Sequence, residues 1–481
     1  MPASTPVRNV PRTQSTKPTA SDEFLQTVNP ASGEAIGRYP TYELLDIDGR
    51  IDRAAAAFQL WKTQSLSDRC EVIEAAALEL LSRREELAAL MTAEMGKPIT
   101  QSEAEIDKCV WLCRHYVSHA AAYLAPEDVR TESRFSSVRF DPLGVILLIM
   151  PWNYPFWQVF RCAVPALLAG NTVVLKHSAN VSGCALALQS IFRDTKVVPD
   201  IFTTILVQRD QADMLITHPS IQGISLTGSD RAGREVAALA GRFLKKTVLE
   251  LGGSDPFIVL DDAPVRYAPQ QAAQARTQNS GQSCIAAKRF IVTRGVYDEF
   301  VGQLVQQFRA LKVGDPTDRD TDIGPIARSD LREDLHQQVA RSIDAGARLK
   351  CGGEPLDRPG FYYLPTVLDG VVPGMSAFDE ELFGPVAAVI RADNEQHAIE
   401  LANLSRFGLG ASIWTASMKR AMSLAEQLDA GAVFVNSMVK SDPRLPFGGV
   451  KDSGYGRELG RFGIREFVNV KTVVMEDPGQ P

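Results

Sequence analysis

Cysteine is sparse in this chain: seven thiols in 481 residues, at positions 70, 109, 113, 162, 184, 284 and 351. An odd count with no C-x-x-C pair argues against a disulfide framework and fits reduced thiols in a cytoplasmic protein. Cys109 and Cys113 share a helix face at i, i+4, but no His or Cys pair accompanies them. Core packing is expected there, and no metal. Long apolar runs are also missing. The densest, Val145–Met150, is far too short to cross a bilayer. There is no basic excess: 51 Lys and Arg face 58 Asp and Glu, a net charge of -7. That balance argues against nucleic acid or an anionic membrane as partner. Residues 1–21 carry no acid, and Pro2, Pro6, Pro11 and Pro18 oppose the amphipathic helix of a transit peptide. No apolar stretch follows, so no secretory signal is read, and a flexible tail is expected.

What is present is ordinary globular material, 45% hydrophobic and 23% charged, long enough for two or three domains. Helical periodicity predicts helices over about 45–61, 67–91 and 99–124, and residues 130–142 read as a β-type arm ending in Asp141-Pro142. From Leu143 strands and helices alternate. Strands are expected at 144–150, 171–176, 201–207 and 223–226, with helices at 159–169, 183–193, 211–217 and 230–242. Near-continuous apolar strands in a βα alternation predict a parallel sheet covered on both faces. The pattern restarts at Pro256–Leu260, Arg289–Thr293 and Tyr297–Leu311, so a second α/β domain follows. A late strand, 467–475, is long and needs a pairing partner, such as another subunit.

Several short stretches carry possible chemistry. Asn279-Ser280-Gly281-Gln282-Ser283-Cys284 presents a cysteine in a polar, glycine-bearing turn at an element edge. Cysteine reacts as its thiolate and there needs donors or positive potential. Pro151-Trp152-Asn153-Tyr154-Pro155 is a rigid loop after an apolar strand, and its Asn153 amide suits an oxyanion or a helix cap. Glu250-Leu251-Gly252-Gly253 places a carboxylate at a strand end, a general base if burial lifts its pKa. Gly228-Ser229, between a strand and a helix, offers free amides to a phosphate. Lys176 ends another strand, at the edge where nucleotides bind in doubly wound sheets. Glu381-Leu382-Phe383-Gly384-Pro385 and Pro446-Phe447-Gly448-Gly449 are aromatic-glycine turns. Taken singly, each reads as well as a cap, a surface turn or a solvated side chain.

Together, in this order and spacing, the seven motifs resemble the aldehyde dehydrogenase superfamily from about Asp22 to the end, and within it the NAD(P)-dependent succinate-semialdehyde dehydrogenases of a bacterial branch. The resemblance implies a Rossmann-like parallel-sheet cofactor domain (22–129 and 143–250), a second α/β catalytic domain (251–452) and a small β oligomerisation arm (130–142 and 462–481). It implies Cys284 as nucleophile, Asn153 with the Cys284 N–H as oxyanion donors, and Glu250 as the base that activates water. Glu381 and Phe383 would contact the nicotinamide half of the cofactor. Trp152, Lys176, Ser178, Ala179, Gly228 and Ser229 would line the rest of its site. A homodimer or homotetramer is expected.

Two departures sharpen that picture. Family members that prefer NAD often carry a glutamate three positions after the lysine. Here Ala179 stands there and nothing repels a 2′-phosphate, so NADP is expected, with NAD possible. For a dicarboxylic half-aldehyde the resemblance offers Arg161 and Ser441, while a second arginine is replaced by Gln278. Ala286 stands where some relatives carry a redox-switch cysteine, so no local disulfide control is expected. A broad-specificity aldehyde dehydrogenase, a catalytically silent member of the fold and a cysteine hydrolase are the competing readings.

Overall fold

The computed structural model describes residues 23–193 and 198–479. The expected N-terminal tail lies outside them. Two sheets carry the architecture. The first has six strands in the order Gly454–Tyr455, Lys246–Glu250, Ile221–Thr227, Val145–Met150, Thr172–His177 and Phe202–Thr204. All neighbours are parallel except Gly454–Tyr455, which runs antiparallel to Lys246–Glu250. Alternation along one strand shows both faces covered. Val145 and Leu147 pack with Ile47 and Ile51 of helix Leu44–Trp61. Ile146, Leu148 and Met150 enter the other core, with Val159 and Phe160 of helix Trp157–Leu168. A strand buried on both sides must be apolar throughout, as Val145–Met150 is.

The chain lays down Val145–Met150 first, extends to one side with Thr172–His177 and Phe202–Thr204, then returns to the other with Ile221–Thr227 and Lys246–Glu250. The strand order therefore reverses between Val145–Met150 and Ile221–Thr227. Ligands of open α/β sheets bind in the crevice beyond the carboxyl ends of the strands at such a reversal. Pro151–Asn153 and Gly228–Ser229 leave those two strands and flank that crevice.

The second sheet has seven strands in the order Arg348–Cys351, Thr366–Asp369, Val386–Ala392, Arg289–Thr293, Pro256–Val259, Gly410–Trp414 and Ala432–Val435. Only Arg348–Cys351 is antiparallel to its neighbour. Here the motifs precede the strands: Gly252-Gly253 leads into Pro256–Val259, Cys284 into Arg289–Thr293, and Glu381 into Val386–Ala392. Carboxyl ends of one parallel sheet thus meet amino ends of another, and the motifs of both gather at the seam.

Strand Val468–Met475 pairs antiparallel with Phe135–Pro142 of its own chain in a three-stranded sheet completed by Glu127–Asp128. The expected helix over 67–91 is two helices, Leu66–Ser82 and Arg84–Met95. Arg83 (φ −107°, ψ 16°) breaks it while its guanidinium binds Glu86 and Ser190. Leu87, Ala88 and Met91 are buried after the break, and a running apolar periodicity hides such an interruption. Cys109 and Cys113 are fully buried in the core. No helix among the described residues is long and apolar enough to cross a membrane.

One side chain ties the first sheet to the C-terminal segment. Asn171, with no exposed surface, accepts from the Leu143 and Gly144 amides and donates to the Ala166 and Phe467 carbonyls. Truncation to alanine leaves buried backbone groups unpaired, each costing about 1–3 kcal/mol. Asn171→Ala is expected to lower the thermal midpoint by several degrees, whereas Gln306→Ala on the exposed face of helix Tyr297–Ala310 should not; equal midpoints for the two would contradict this.

Candidate active site

The turn before Cys284 is wound the wrong way for ordinary residues. Asn279 (φ 54°), Ser280 (φ 55°) and Gly281 (φ 77°) are all left-handed, and non-glycine residues resist that conformation. Side chains hold it in place. Ser280 accepts from the Gly324 amide, and the Gln282 carboxamide accepts from the Ala327 amide. Asn279 donates to the carbonyls of Asn153 and Gln282. Gly281 is required twice over, because a Cβ there would lie 2.3 Å from the Gly384 carbonyl. The nucleophile turn is thereby pressed against the Glu381–Pro385 turn.

Asn153 faces Cys284 across this seam. One amide hydrogen is donated to the Gln282 carbonyl at 3.0 Å. A carboxamide has two, so one remains for a ligand. The Cys284 backbone N–H donates to no group among the described residues. The Asn153 loop is fixed from behind by Glu105, which accepts from the Phe156 and Trp157 amides at the start of helix Trp157–Leu168. A carboxylate at a helix N-terminus meets free amides and the positive dipole end. Glu105 is in turn ion-paired to buried Lys97.

Behind the thiol lies a buried charge cluster. Arg161 is ion-paired to Glu458, donates to Thr227 Oγ1 and stacks its guanidinium 4.8 Å from the Phe447 ring. Burial opposes its charge, but Glu458 and Glu250 prevail and raise its pKa. Glu250 has both carboxylate oxygens buried without a hydrogen-bond partner. Burial, then the Glu458 charge, push its pKa well above the carboxylate range, against the pull of Arg161 and Arg457. A Cβ at Gly448 (φ 154°) would lie 2.7 Å from Glu250 Oε1 and 2.8 Å from the Gly456 carbonyl oxygen, so only glycine fits at that point of the Pro446–Gly449 turn. The Cys284 thiol is likewise pushed up to about 12 by burial, although Arg161 and Lys288 pull it down. The thiol is neutral at rest and Glu250 is a stronger base than an ordinary carboxylate, both in the field of one arginine.

A cavity of about 610 Å³ opens beside this cluster, lined by Trp152, Asn153, Gly228, Ser229, Cys284, Glu381 and Phe383 among others. Trp152 and Phe383 meet edge to face, with ring centroids 5.7 Å apart. Glu381 accepts from the Gly253 amide at 3.0 Å and lies 3.4 Å from Lys288. Ser229 caps helix Asp230–Arg242, accepting from the Ala232 amide. Ser178 and Ala179 line a second cavity of about 740 Å³, beyond strand Thr172–His177. Lys176 closes that strand, its pKa lowered by burial and by Arg209. The residues suit a dinucleotide, with helix amides for phosphate and a cation at the neighbouring strand end.

The two remaining expected residues, Gln278 and Ser441, are engaged by neighbouring groups. Gln278 turns back to the Ala275 carbonyl, and Ser441 is buried and accepts from Lys108 Nζ. Arg276 is fully buried, spent on the Ala287 and Gly281 carbonyls. Sequence reasoning missed Glu458 and Lys288. Neither lies in a run that patterning distinguishes, though Lys288, four residues after Cys284, is near enough to have been suspected. Among the described residues no group of three or more His, Cys, Asp or Glu side chains could hold a metal ion.

Known proteins resemble this chain along nearly its whole length. Residues 17–473 match the model of the aldehyde dehydrogenase family. The chain is 50% identical to a probable NADP(+) succinate-semialdehyde dehydrogenase of Synechocystis sp., over 93% of this chain and 99% of that one. It is 46% identical to an NAD(P)+ succinate semialdehyde dehydrogenase of Escherichia coli, over 93% and 97%. Its structure is similar to that of succinic semialdehyde dehydrogenase from Streptococcus pyogenes in complex with NADP+. That match has a TM-score of 0.92 and 34% identity and covers 94% of this chain and 100% of that one.

The buried thiol makes a direct prediction. Because the folded pKa lies above that of a free thiol, the thiolate fraction climbs about tenfold per pH unit and stays small at neutrality. Alkylation of Cys284 by iodoacetamide in the unliganded protein, followed by peptide mass spectrometry, should rise without a plateau from about pH 6 to 10. A plateau below about pH 9 would show a thiolate already stabilised at rest.

Proposed function

The chain belongs to the aldehyde dehydrogenase family, and we propose that it oxidises succinate semialdehyde to succinate through a thioester on Cys284, with NADP as its preferred cofactor. The observation that carries the reading is the convergence of Cys284, Asn153, Trp152, Gly228, Ser229, Glu381 and Phe383 on one cavity, with Glu250 and Cys284 both close enough to Arg161 to act on its charge. The Cys284 S–H bond breaks, its proton passing to solvent water, and the sulfur adds to the aldehyde carbon. The free Asn153 amide hydrogen and the Cys284 N–H stabilise the resulting alkoxide. NADP, when bound, supplies the hydride acceptor. Trp152, Phe383 and Glu381 would hold its nicotinamide half, and Lys176 and Ser178, with no acid at Ala179, its adenosine phosphate. Loss of hydride leaves the thioester. Glu250, kept basic by burial, then removes a proton from the attacking water, and C–S cleavage returns the thiol and releases the acid.

The positive potential of Arg161 favours an anionic substrate in this seam, although its guanidinium is shared with Glu458. The first sheet is read as the cofactor domain and the second as the catalytic domain. Strand Val468–Met475 leaves one edge unpaired, with Val470 and Val474 exposed, which suits pairing with a second copy in a homodimer or homotetramer. The sparse, odd-numbered thiols suit the cytoplasm.

Steady-state kinetics with succinate semialdehyde and each cofactor in turn test the reading. No cofactor reduction on adding aldehyde would overturn it. Glu250→Gln should lower the steady rate by about 10²–10⁴ while preserving a burst of one reduced cofactor per site, since hydride transfer precedes hydrolysis; loss of the burst as well would move Glu250 to an earlier step. Ala179→Glu should shift the ratio of kcat/KM values from NADP towards NAD by at least about tenfold, equivalent to one like-charge contact of about 1.4 kcal/mol. An unchanged ratio would remove Ala179 from cofactor choice.

A further inference from the structure

Lys108 stands on helix Ile99–Tyr123, one turn after Glu105. Its ammonium donates to Ser441 Oγ at 2.7 Å and lies 4.2 Å from the Trp157 ring centroid. Trp157 and Arg161 share one face of the next helix, so Lys108, Trp157 and Arg161 form a row whose far member acts electrostatically on Cys284. What sets Lys108 apart is that every acid near it is already committed. Glu105 is held by Lys97 and two backbone amides. Glu458 is paired to Arg161. Asp442 is gripped by Arg444 through two hydrogen bonds, at 2.8 and 2.6 Å. Among the described residues no carboxylate is ion-paired to Lys108. Burial, then the Arg161 charge, lower its pKa to about 8, so it is largely protonated at neutral pH yet lacks a counter-ion.

We infer that Lys108 and Ser441 together form the seat for the carboxylate at the far end of the substrate, with Lys108 as the specificity-determining cation. Ser441 accepts from the ammonium and keeps its own hydroxyl hydrogen to donate. A terminal carboxylate can then accept one bond from Nζ and one from Oγ, both from groups held in place before it arrives. Charge-assisted bonds to a pre-placed cation are the strong kind. Arg161, neutralised by Glu458, contributes field more than a contact. This inference rests on the dicarboxylic half-aldehyde reading above.

The test compares succinate semialdehyde with butanal, an uncharged aldehyde of the same carbon count, on wild type, Lys108→Met and Lys108→Arg, with NADP saturating. Methionine keeps the contact with Trp157 and removes the charge. Lys108→Met should raise KM for succinate semialdehyde by about 10- to 100-fold, one lost hydrogen bond to a charged group, with kcat little changed. The kcat/KM for butanal should move far less, and Lys108→Arg should recover most of the loss. Equal losses on both aldehydes, or no loss on either, would overturn the Lys108 assignment and leave the substrate reading standing. A wild-type enzyme that did not favour succinate semialdehyde over butanal would overturn both.

Discussion

The buried pair of Arg161 and Glu458 is the interaction on which the site depends. Removing two opposite charges from water is costly, and their attraction repays it only when the geometry is close and neighbours take the remaining donors. Here Thr227 takes one guanidinium hydrogen and the Phe447 ring covers a face. The pair joins three parts of the chain: helix Trp157–Leu168, the end of strand Ile221–Thr227, and the C-terminal segment that carries Glu458. Because Arg161 is shared, its field at Cys284 and Glu250 is moderate. That leaves a thiol which is neutral without ligands, and so guarded from stray electrophiles until an aldehyde and a cofactor fill the cavity.

The same dryness explains the glycines. Gly281 meets the Gly384 backbone, Gly448 makes room for Glu250, and Gly252 lies where a Cβ would come 2.5 Å from Glu381. Each removes a side chain so that a functional group can stand against backbone without water between them. The motifs that look like unrelated surface turns are thus opposing walls of one seam.

Much of this was legible beforehand. Helix Asp230–Arg242 and strand Arg289–Thr293 coincide with the apolar patterning that predicts them, because capping by Ser229 and full burial leave strong local signals. The break at Arg83 was not legible, since the apolar rhythm continues across it. Strand Phe202–Thr204 is shorter than the apolar stretch around it, because burial persists through Ile205–Val207 after pairing ends. In the site, Cys284, Asn153 and Glu250 stand in recognisable turns. Glu458, Lys288 and Lys108 do not, because their significance lies in partners distant along the chain. Ser441 could be named from resemblance, but only the fold shows which cation touches it.

The C-terminal segment does more than end the molecule. Gly454–Tyr455 completes the edge of the first sheet, Glu458 neutralises Arg161, Ile464 and Phe467 fill the first core, and the Phe467 carbonyl is bound by Asn171. The second sheet is therefore an insertion between two pieces of the first unit. During synthesis the early strands emerge with an uncompensated arginine and an open core, and nothing made before residue 454 can close either. The first sheet thus gains its last edge, its filled core and a neutralised Arg161 only when the final segment is made, so its stability depends on residues that follow the whole of the second sheet.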